Sequence, residues 1–246
     1  MFKSLFRPAR IERDLSFIGA DMHSHMLPGL DDGAVTMEES LGFFRLMQDW
    51  GYQKCIATPH IFKGVHNNSP ETILAVYEKV KAALQEADLR IQLEAAAEYM
   101  VDESFMELLQ QQQPLLTIGG KYVLIEMSYA APSPFIESAV FQLNIQGYKP
   151  ILAHPERYGF YHFNFPQYER LLEMGCVFQV NLLSLSGYYG PEVKKTALKL
   201  IRAGKVQLIG TDLHHYNHAD AIKQFTVTRE FYEITRNMQL LNSSLL

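Results

Sequence analysis

The feature that most constrains the fold is a sevenfold alternation of apolar, β-branched-rich runs with stretches that carry helical signals. Both residue parities within the runs are apolar, which is typical of strands that are covered on both faces. Short connections between strand and helix favour parallel strands joined by crossover helices. The runs span residues 15–24, 53–60, 91–99, 121–127, 149–154, 176–183 and 205–212.

The helical stretches begin and end at recognisable residues. Thr36, with Glu39 three positions later, predicts a capping box at the start of the first helix. Ser69 followed by Pro70 predicts an N-cap with proline at the first helical position. Gly204 predicts the end of a helix just before the last strand.

Two α/β architectures satisfy this alternation, a doubly wound open sheet and a closed barrel. Polar residues end nearly every predicted strand, and a closed barrel brings all of those ends to one mouth. An open sheet would spread the same residues along a wide edge. We therefore predict an α/β barrel of the TIM type, formed by a single domain over residues 17–246.

Composition narrows the class of protein further. The 246 residues carry a formal net charge of -5, which gives no support for nucleic-acid binding. Cys55 and Cys176 are too few for a disulfide framework and fit a reducing compartment, so we expect a cytoplasmic protein. No stretch reaches transmembrane length.

Residues 1–16 are basic with interleaved apolar residues, and we interpret them as an N-terminal extension packed on the barrel bottom. A membrane-surface or docking segment is the alternative.

The ends of the predicted strands are rich in metal-ligating residue types. His23 and His25 lie two apart and therefore share one face of a strand, and Asp212 and His214 repeat this spacing. Either Asp31 or Asp32 follows the first pair in a loop. The remaining candidates end the intervening strands and are His60, Glu98, Glu126 and His154.

Glu94 shares its strand parity with Glu98, which we prefer because it lies at the carboxyl end of the strand, where barrel sites form. Taken singly, each of these residues could be a surface acid or a satisfied core histidine. Taken together, they would crowd unpaired carboxylates into an apolar barrel mouth, at several kcal/mol each. Divalent cations remove that cost, so we predict a metal cluster.

The donor set indicates which ions are expected. Imidazole and carboxylate donors without cysteine favour manganese, iron, zinc or magnesium over a structural zinc site. Nine ligands exceed the coordination shell of one ion, so we expect two or three. Clustered ions can supply hydroxide at neutral pH and stabilise a transferring phosphoryl group. Arg157, three residues after His154, presents a planar fork for phosphate oxygens; a salt bridge with Glu156 is the alternative.

The candidate residues lie in four motifs, which are Asp21-Met-His-Ser-His-Met-Leu-Pro-Gly-Leu-Asp-Asp-Gly33, Ala57-Thr-Pro-His60, Ala153-His-Pro-Glu-Arg-Tyr158 and Asp212-Leu-His214. These motifs resemble those of a known family, the PHP (polymerase and histidinol phosphatase) superfamily. More narrowly, the chain is similar to the metal-dependent tyrosine-protein phosphatases of bacterial capsule and exopolysaccharide loci. The resemblance implies a distorted seven-stranded (β/α)7 barrel and a trinuclear, usually manganese-dependent centre. It also implies a substrate, the phosphotyrosine-bearing tail of a tyrosine kinase that controls polysaccharide export.

The resemblance also implies how the ligands are shared, and it prefers Asp32 to Asp31. One ion would take His23, His25, Glu98 and Asp212. Glu98 would bridge to a second ion that also takes Glu126 and His154, and a third would take Asp32, His60 and His214. Arg157 would be the catalytic phosphate-binding arginine. His66 is a candidate substrate-binding residue of the site wall, and a solvated loop histidine is the alternative. His215 departs from the asparagine that is usual after the last ligand, which leaves the wall there undefined.

We therefore predict a metal-dependent phosphotyrosine phosphatase. A small-molecule phosphomonoesterase of the histidinol-phosphatase type is the first alternative, and a kinase-docking module without turnover is the second. The cysteine-based route to phosphotyrosine hydrolysis needs arginine six positions after the nucleophile. Ile61 and Leu182 stand there instead, six positions after Cys55 and Cys176.

Overall fold

The computed structural model describes residues 14–246, so most of the predicted N-terminal extension lies outside the described residues. The nine named strands of the described chain pair only in parallel. In chain order they are β1 (Ala20–Asp21), β2 (Lys54–Ala57), β3 (His60–Ile61), β4 (Gln92–Ala95), β5 (Glu98–Met100), β6 (Tyr122–Glu126), β7 (Lys149–Ala153), β8 (Val177–Asn181) and β9 (Leu208–Gly210).

The strands form two sheets rather than one continuous ladder. The order is β1-β2-β4 in the three-stranded sheet and β3-β5-β6-β7-β8-β9 in the six-stranded sheet. Two of the seven predicted runs are divided between the sheets, since 53–60 provides β2 and β3 and 91–99 provides β4 and β5. Pro59 explains one division, because it has no N–H to donate to a ladder. Beyond the break, His60 pairs in register with Glu98.

Helices follow the strands, as the alternation predicts. The Thr36 side chain accepts a hydrogen bond from Glu39 N, and Ser69 and Thr72 cap the next helix reciprocally, so both predicted helix starts are confirmed. The helices are α1 (Met37–Asp49), α2 (Pro70–Glu86), α3 (Glu103–Gln110), α4 (Ile136–Ile145), α5 (Phe165–Glu173), α6 (Leu182–Ser186), α7 (Pro191–Arg202), α8 (Tyr216–Thr226) and α9 (Arg229–Thr235). Short 3₁₀ segments span Pro155–Arg157, Gly159–Tyr161 and Asn242–Leu245.

The two residue parities of the strands bury different cores. Residues such as Val123, Ile125 and Leu152 belong to a large cluster that also includes the apolar faces of the helices. Residues of the other parity, such as Leu124 and Ile151, form a second, smaller cluster. This division explains why both parities of the runs are apolar in the sequence.

Asn242 ties the edge strands of the two sheets to each other. Its side-chain amide donates to Ala20 O of β1 and to Ile209 O of β9, at 2.9 and 2.7 Å. Its Oδ1 accepts from Ile209 N at 3.0 Å, and the residue is fully buried. Further along the same two edges, Asp21 accepts hydrogen bonds from the backbone and hydroxyl of Thr211.

We expect Asn242→Ala to lower the free energy of unfolding by about 2–4 kcal/mol, because three hydrogen bonds are lost and buried backbone groups are left unpaired. Urea unfolding followed by circular dichroism measures this change. The exposed Asn237→Ala is the matched control and should change stability by less than about 0.5 kcal/mol. Equal stability of the two variants would contradict the proposal that Asn242 stabilises the contact between the two sheets.

Candidate metal centre

The nine predicted ligands come together; most follow or end a strand, whereas His60 and Glu98 begin β3 and β5, just beyond the breaks that divide their predicted runs. Their nitrogen and oxygen atoms fall into four overlapping groups in which the ligand atoms lie within 4.8 Å of one another. The groups are His23, His25 and Asp212; His23, Glu98 and His154; His60, Glu98 and Glu126; and His25, Asp32, His60 and His214. Every residue that the sequence singled out as a ligand therefore belongs to at least one group.

Glu98 is the centre of the cluster. Its Oε2 lies 3.0 Å from His23 Nε2 and 3.2 Å from His60 Nδ1, and its Oε1 lies 3.1 Å from His154 Nε2. Burial acts to raise the pKa of this carboxyl, but the neighbouring imidazoles outweigh burial and hold the pKa well below its ordinary value. Glu94, the same-parity alternative, instead pairs with Lys54 at 2.6 Å away from the cluster.

Asp212 joins the cluster to Arg157. Its Oδ1 lies 3.4 Å from Nε2 of both His23 and His25, and its Oδ2 accepts from Arg157 Nη1 at 2.9 Å. The backbone of Asp212 is left-handed, with φ 51°, and that of His154 has φ 35°. Such strain costs about 1–3 kcal/mol per residue and concentrates at functional sites. Both residues follow strands and belong to the groups of candidate ligands.

The structure assigns different positions to the two aspartates that the sequence left open. Asp31 is buried behind His25, where its Oδ2 accepts from Nδ1 of that imidazole at 2.8 Å and from His60 N at 3.0 Å. The side chain of Asp32 is 63% exposed, and its Oδ1 lies 3.5 Å from His214 Nε2. Asp32 therefore lies with the candidate ligands, and Asp31 orients one of them.

The donor chemistry fits divalent cations. Burial acts to lower the pKa of His23, yet the carboxylates of Glu98 and Asp212 raise it to about 9. The buried carboxylates around this imidazole therefore favour a positive charge at its position. A divalent cation could supply that charge in place of a proton. Nitrogen and oxygen donors without a thiol suit manganese, iron, zinc or magnesium.

The family of the chain follows from a comparison with sequence models of known families. The model described as "Capsular polysaccharide synthesis, CpsB/CapC" matches residues 19–229. The chain belongs to the CpsB/CapC family.

Several curated proteins are similar to this CpsB/CapC protein along most of their length. Tyrosine-protein phosphatase YwqE of Bacillus subtilis is 28% identical over 229 residues, which is 90% of each chain. Tyrosine-protein phosphatase CpsB of Streptococcus pneumoniae is 27% identical over 202 residues, covering 79% of this chain and 82% of that protein.

Solved structures agree with the sequence comparison. A crystal structure reported for YwqE and CpsB, described as unique metal-dependent tyrosine phosphatases, matches with a TM-score of 0.74 and 27% identity. The match covers 89% of this chain and 92% of that one. The histidinol phosphate phosphatase of Lactococcus lactis has a TM-score of 0.54 at 11% identity over 90% of this chain and 94% of that one, which shows a likeness of fold alone.

Two tyrosine rings hold Arg157 in this CpsB/CapC protein. Its guanidinium carbon lies 4.5 Å from the ring centroid of Tyr129 and 4.2 Å from that of Tyr189. All three residues line a cavity of about 220 Å³ together with six of the nine candidate ligands. Arg157 pairs with Asp212 rather than Glu156, whose buried carboxyl accepts from Asn181 N and Ser184 Oγ. The planar fork of Arg157 therefore lies on the wall of the cavity.

Two further histidines lie at the rim. The Nε2 of His66 is 4.0 Å from Asp32 Oδ1, and its ring stacks on that of His60 with centroids 5.2 Å apart. His215, which departs from the family pattern, lines the same cavity and caps α8 by accepting from His218 N. An imidazole therefore forms the part of the wall that the sequence left undefined.

Sequence reasoning missed several side chains that contact the candidate ligands or Arg157, among them two tyrosines and two amides. Tyr129 and Tyr189 lie in loops, where nothing in the local pattern distinguishes them. Gln179 and Asn181 lie on β8, a strand for which no ligand was predicted. Their signal was available, since two amides at alternate positions of an apolar strand must share one face.

Proposed function

We propose that this protein is a metal-dependent phosphatase that hydrolyses phosphotyrosine on a bacterial tyrosine kinase controlling capsule or exopolysaccharide synthesis. The observation that carries the proposal is the convergence of nine imidazole and carboxylate residues, six of which line the cavity whose wall holds Arg157. Membership of the CpsB/CapC family and the named activity of YwqE and CpsB support the same reaction.

The nine residues would hold two or three ions, and manganese is the ion that we propose, with iron, zinc and magnesium as the other candidates. Glu98 belongs to two of the four groups and, as a carboxylate with two acceptor oxygens, would be able to serve two ions. His60 lies between two groups, because its Nδ1 is 2.8 Å from Glu126 Oε1 while its Nε2 is 3.6 Å from Asp32 Oδ1. When bound, such ions would activate water and balance the charge of phosphoryl oxygens.

The protein's own groups would bind and orient the phosphate. Arg157 has five N–H donors and gives one to Asp212, so others remain for phosphoryl oxygens on the cavity side. The rings of Tyr129 and Tyr189 hold the guanidinium plane and limit its movement. The leaving phenol has a pKa near 10, so it departs without a strong general acid.

We propose that the two sheets are parts of one distorted seven-stranded (β/α)7 barrel of the PHP fold, formed by residues 17–246. The support is at the edges, where Ser24 and Leu213 form a parallel bridge and His25 N donates to Leu213 O at 3.0 Å. The likeness of fold to a histidinol phosphate phosphatase supports the same assignment.

The partner that we propose is the phosphotyrosine-bearing tail of a polysaccharide-export kinase, reached from the cytoplasm. The capsular polysaccharide synthesis family supports this partner. Among residues 14–246, no helix is both long and apolar enough to cross a membrane.

A substrate panel tests the proposal. Protein purified without chelator and loaded with Mn²⁺ is assayed on a phosphotyrosine peptide, a phosphoserine peptide and histidinol phosphate. We expect the phosphotyrosine peptide to give the highest kcat/KM. Faster hydrolysis of histidinol phosphate would favour the small-molecule phosphomonoesterase, and no turnover of any substrate by the loaded protein would favour a docking module.

We expect the activity to survive removal of both thiols. Burial raises the pKa of Cys176 to about 12 and that of Cys55 well above its ordinary value, so neither is a thiolate at neutral pH. The variant Cys55→Ala with Cys176→Ala should keep kcat/KM within about threefold, because no thiol takes part in metal-assisted hydrolysis. Loss of turnover in a variant that still folds, as judged by circular dichroism, would contradict the metal-based route.

A further inference from the structure

A chain of hydrogen-bonded side chains lies behind the candidate metal centre. Gln179 and Asn181 are both fully buried on β8. The Nδ1 atom of His23 is 2.9 Å from Gln179 Oε1, and Gln179 Nε2 is 2.8 Å from Asn181 Oδ1. The chain ends where Asn181 Nδ2 donates to Asp212 Oδ2 at 2.6 Å. Two candidate ligands from opposite ends of the sequence are therefore joined through two amides, which we call the amide relay.

The carboxylate at one end sets the direction of every bond in the amide relay. An ionised Asp212 can only accept, so Asn181 must direct its NH₂ group to it and its oxygen to Gln179. Gln179 must then donate to that oxygen, which leaves its own oxygen facing His23. Because a carbonyl oxygen cannot donate, Nδ1 of His23 must carry the proton.

We propose that Gln179 and Asn181 are positioning residues that hold His23 in the Nδ1–H tautomer and direct Oδ1 of Asp212 toward the metal centre. This inference rests on the metal site of the proposed function. With the proton on Nδ1, Nε2 is the nitrogen that remains for an ion; it lies among the other candidate ligands, 3.0 Å from Glu98 Oε2. With Oδ2 of Asp212 occupied, Oδ1 is the oxygen that remains for an ion.

Gly210 provides the room that the amide relay needs. It pairs in register with Asn181 on the neighbouring strand. A Cβ atom at position 210 would lie 2.7 Å from His23 Cβ and 2.9 Å from Gln179 Nε2, closer than real Cβ contacts. The backbone of β9 therefore lets the Gln179 amide approach His23, and a side chain at position 210 would separate them.

The amide relay also reaches the phosphate-binding side of the cavity. Asp212 Oδ2 accepts from Asn181 and from Arg157 Nη1, the second bond being 2.9 Å long. One carboxylate oxygen therefore accepts hydrogen bonds both from the end of the amide relay and from the guanidinium. The orientations of His23 and Arg157 are therefore coupled through Asp212.

Metal binding by chelator-stripped protein tests the proposal without relying on activity. Titration calorimetry with MnCl₂ gives the affinity and stoichiometry of wild type, Gln179→Met, Asn181→Leu and the double variant. We expect each single variant to bind its tightest ion about 10–100-fold more weakly. The double variant should bind about as weakly as either single variant, because the two amides act as one unit.

Gln207→Met is the matched control. Gln207 accepts a hydrogen bond from the backbone N–H of Phe178, which lies on β8 beside Gln179. The Gln207 side chain is hydrogen-bonded to no candidate ligand, so its replacement should not change the affinity for Mn²⁺. Wild-type affinity in Gln179→Met would overturn the amide relay while leaving the proposed function intact. A wild type that binds no divalent ion would overturn both. A purely structural role would lower the melting temperature of the stripped variants with no change in affinity, which also counts against the proposal.

A measurement on the unmutated side chains keeps the proposal testable if the β8 variants do not fold. ¹⁵N NMR of zinc-loaded wild type distinguishes a protonated from a metal-bound imidazole nitrogen, and His23→Gln assigns the signal. We expect a slowly exchanging proton on Nδ1 of His23 and the metal on Nε2. Metal on Nδ1 would overturn the proposal.

Discussion

Glu98→Gln is expected to lower kcat/KM for a phosphotyrosine peptide by about 10³-fold. The variant keeps the size of the side chain but removes its charge, and only one of its two terminal atoms can still accept. Since both oxygens of Glu98 face imidazoles of the cluster, no other side chain can replace it. Steady-state kinetics in the presence of Mn²⁺ measure the effect.

Glu94→Gln is the matched control, because it makes the same change four residues earlier. It loses a partly exposed ion pair with Lys54, which is worth little. We expect its activity to stay within about twofold of wild type, and we expect chelator to abolish the activity of both the control and wild type until Mn²⁺ is restored. Activity that persists after elemental analysis finds no bound metal would contradict the site.

Arg157→Ala is expected to lower kcat by about 10²–10³-fold while leaving the metal content unchanged. The guanidinium lies on the wall of the cavity and contacts a candidate ligand only through Asp212 Oδ2, which still accepts from Asn181. Arg157→Lys should recover little of this loss, because an ammonium cannot present a planar fork or stack between two tyrosine rings.

Arg170→Ala controls for the loss of an arginine that pairs with an acid, since Arg170 makes an exposed ion pair with Glu137 far from the cavity. Its kinetics should match those of wild type. If Arg157→Ala instead loses its metal in parallel with its activity, Arg157 serves to hold Asp212 rather than the phosphate.

Short-range patterns predicted where the strands lie and which polar residues come close together. The spacing of His23 and His25 is local, and strand ends are visible as the points where apolar runs stop. Because parallel strands bring their carboxyl ends together, those local positions were enough to predict one shared cavity. The ligand role of each residue stays a prediction, although the structure brings all nine together.

Features that depend on contacts between distant segments could not be predicted in this way. The division of two runs between two sheets depends on which neighbour each half meets after the break at Pro59. The choice between Asp31 and Asp32 depends on which way a loop turns, and adjacent residues carry no pattern that decides it. The sequence places Gln179 and Asn181 on one face of β8, but it does not show that His23, far away in the chain, is the partner of Gln179.

The division into two sheets has a mechanical consequence. The His23 and His25 pair follows β1 of the three-stranded sheet, whereas Glu98 begins a strand of the six-stranded sheet. An ion bound between them would therefore link the two sheets to each other. Without the ion, the edges of the two sheets would still be joined by Asn242, by the Thr211–Asp21 bonds and by the Ser24–Leu213 bridge, so we expect metal removal to loosen the site while the sheets stay together.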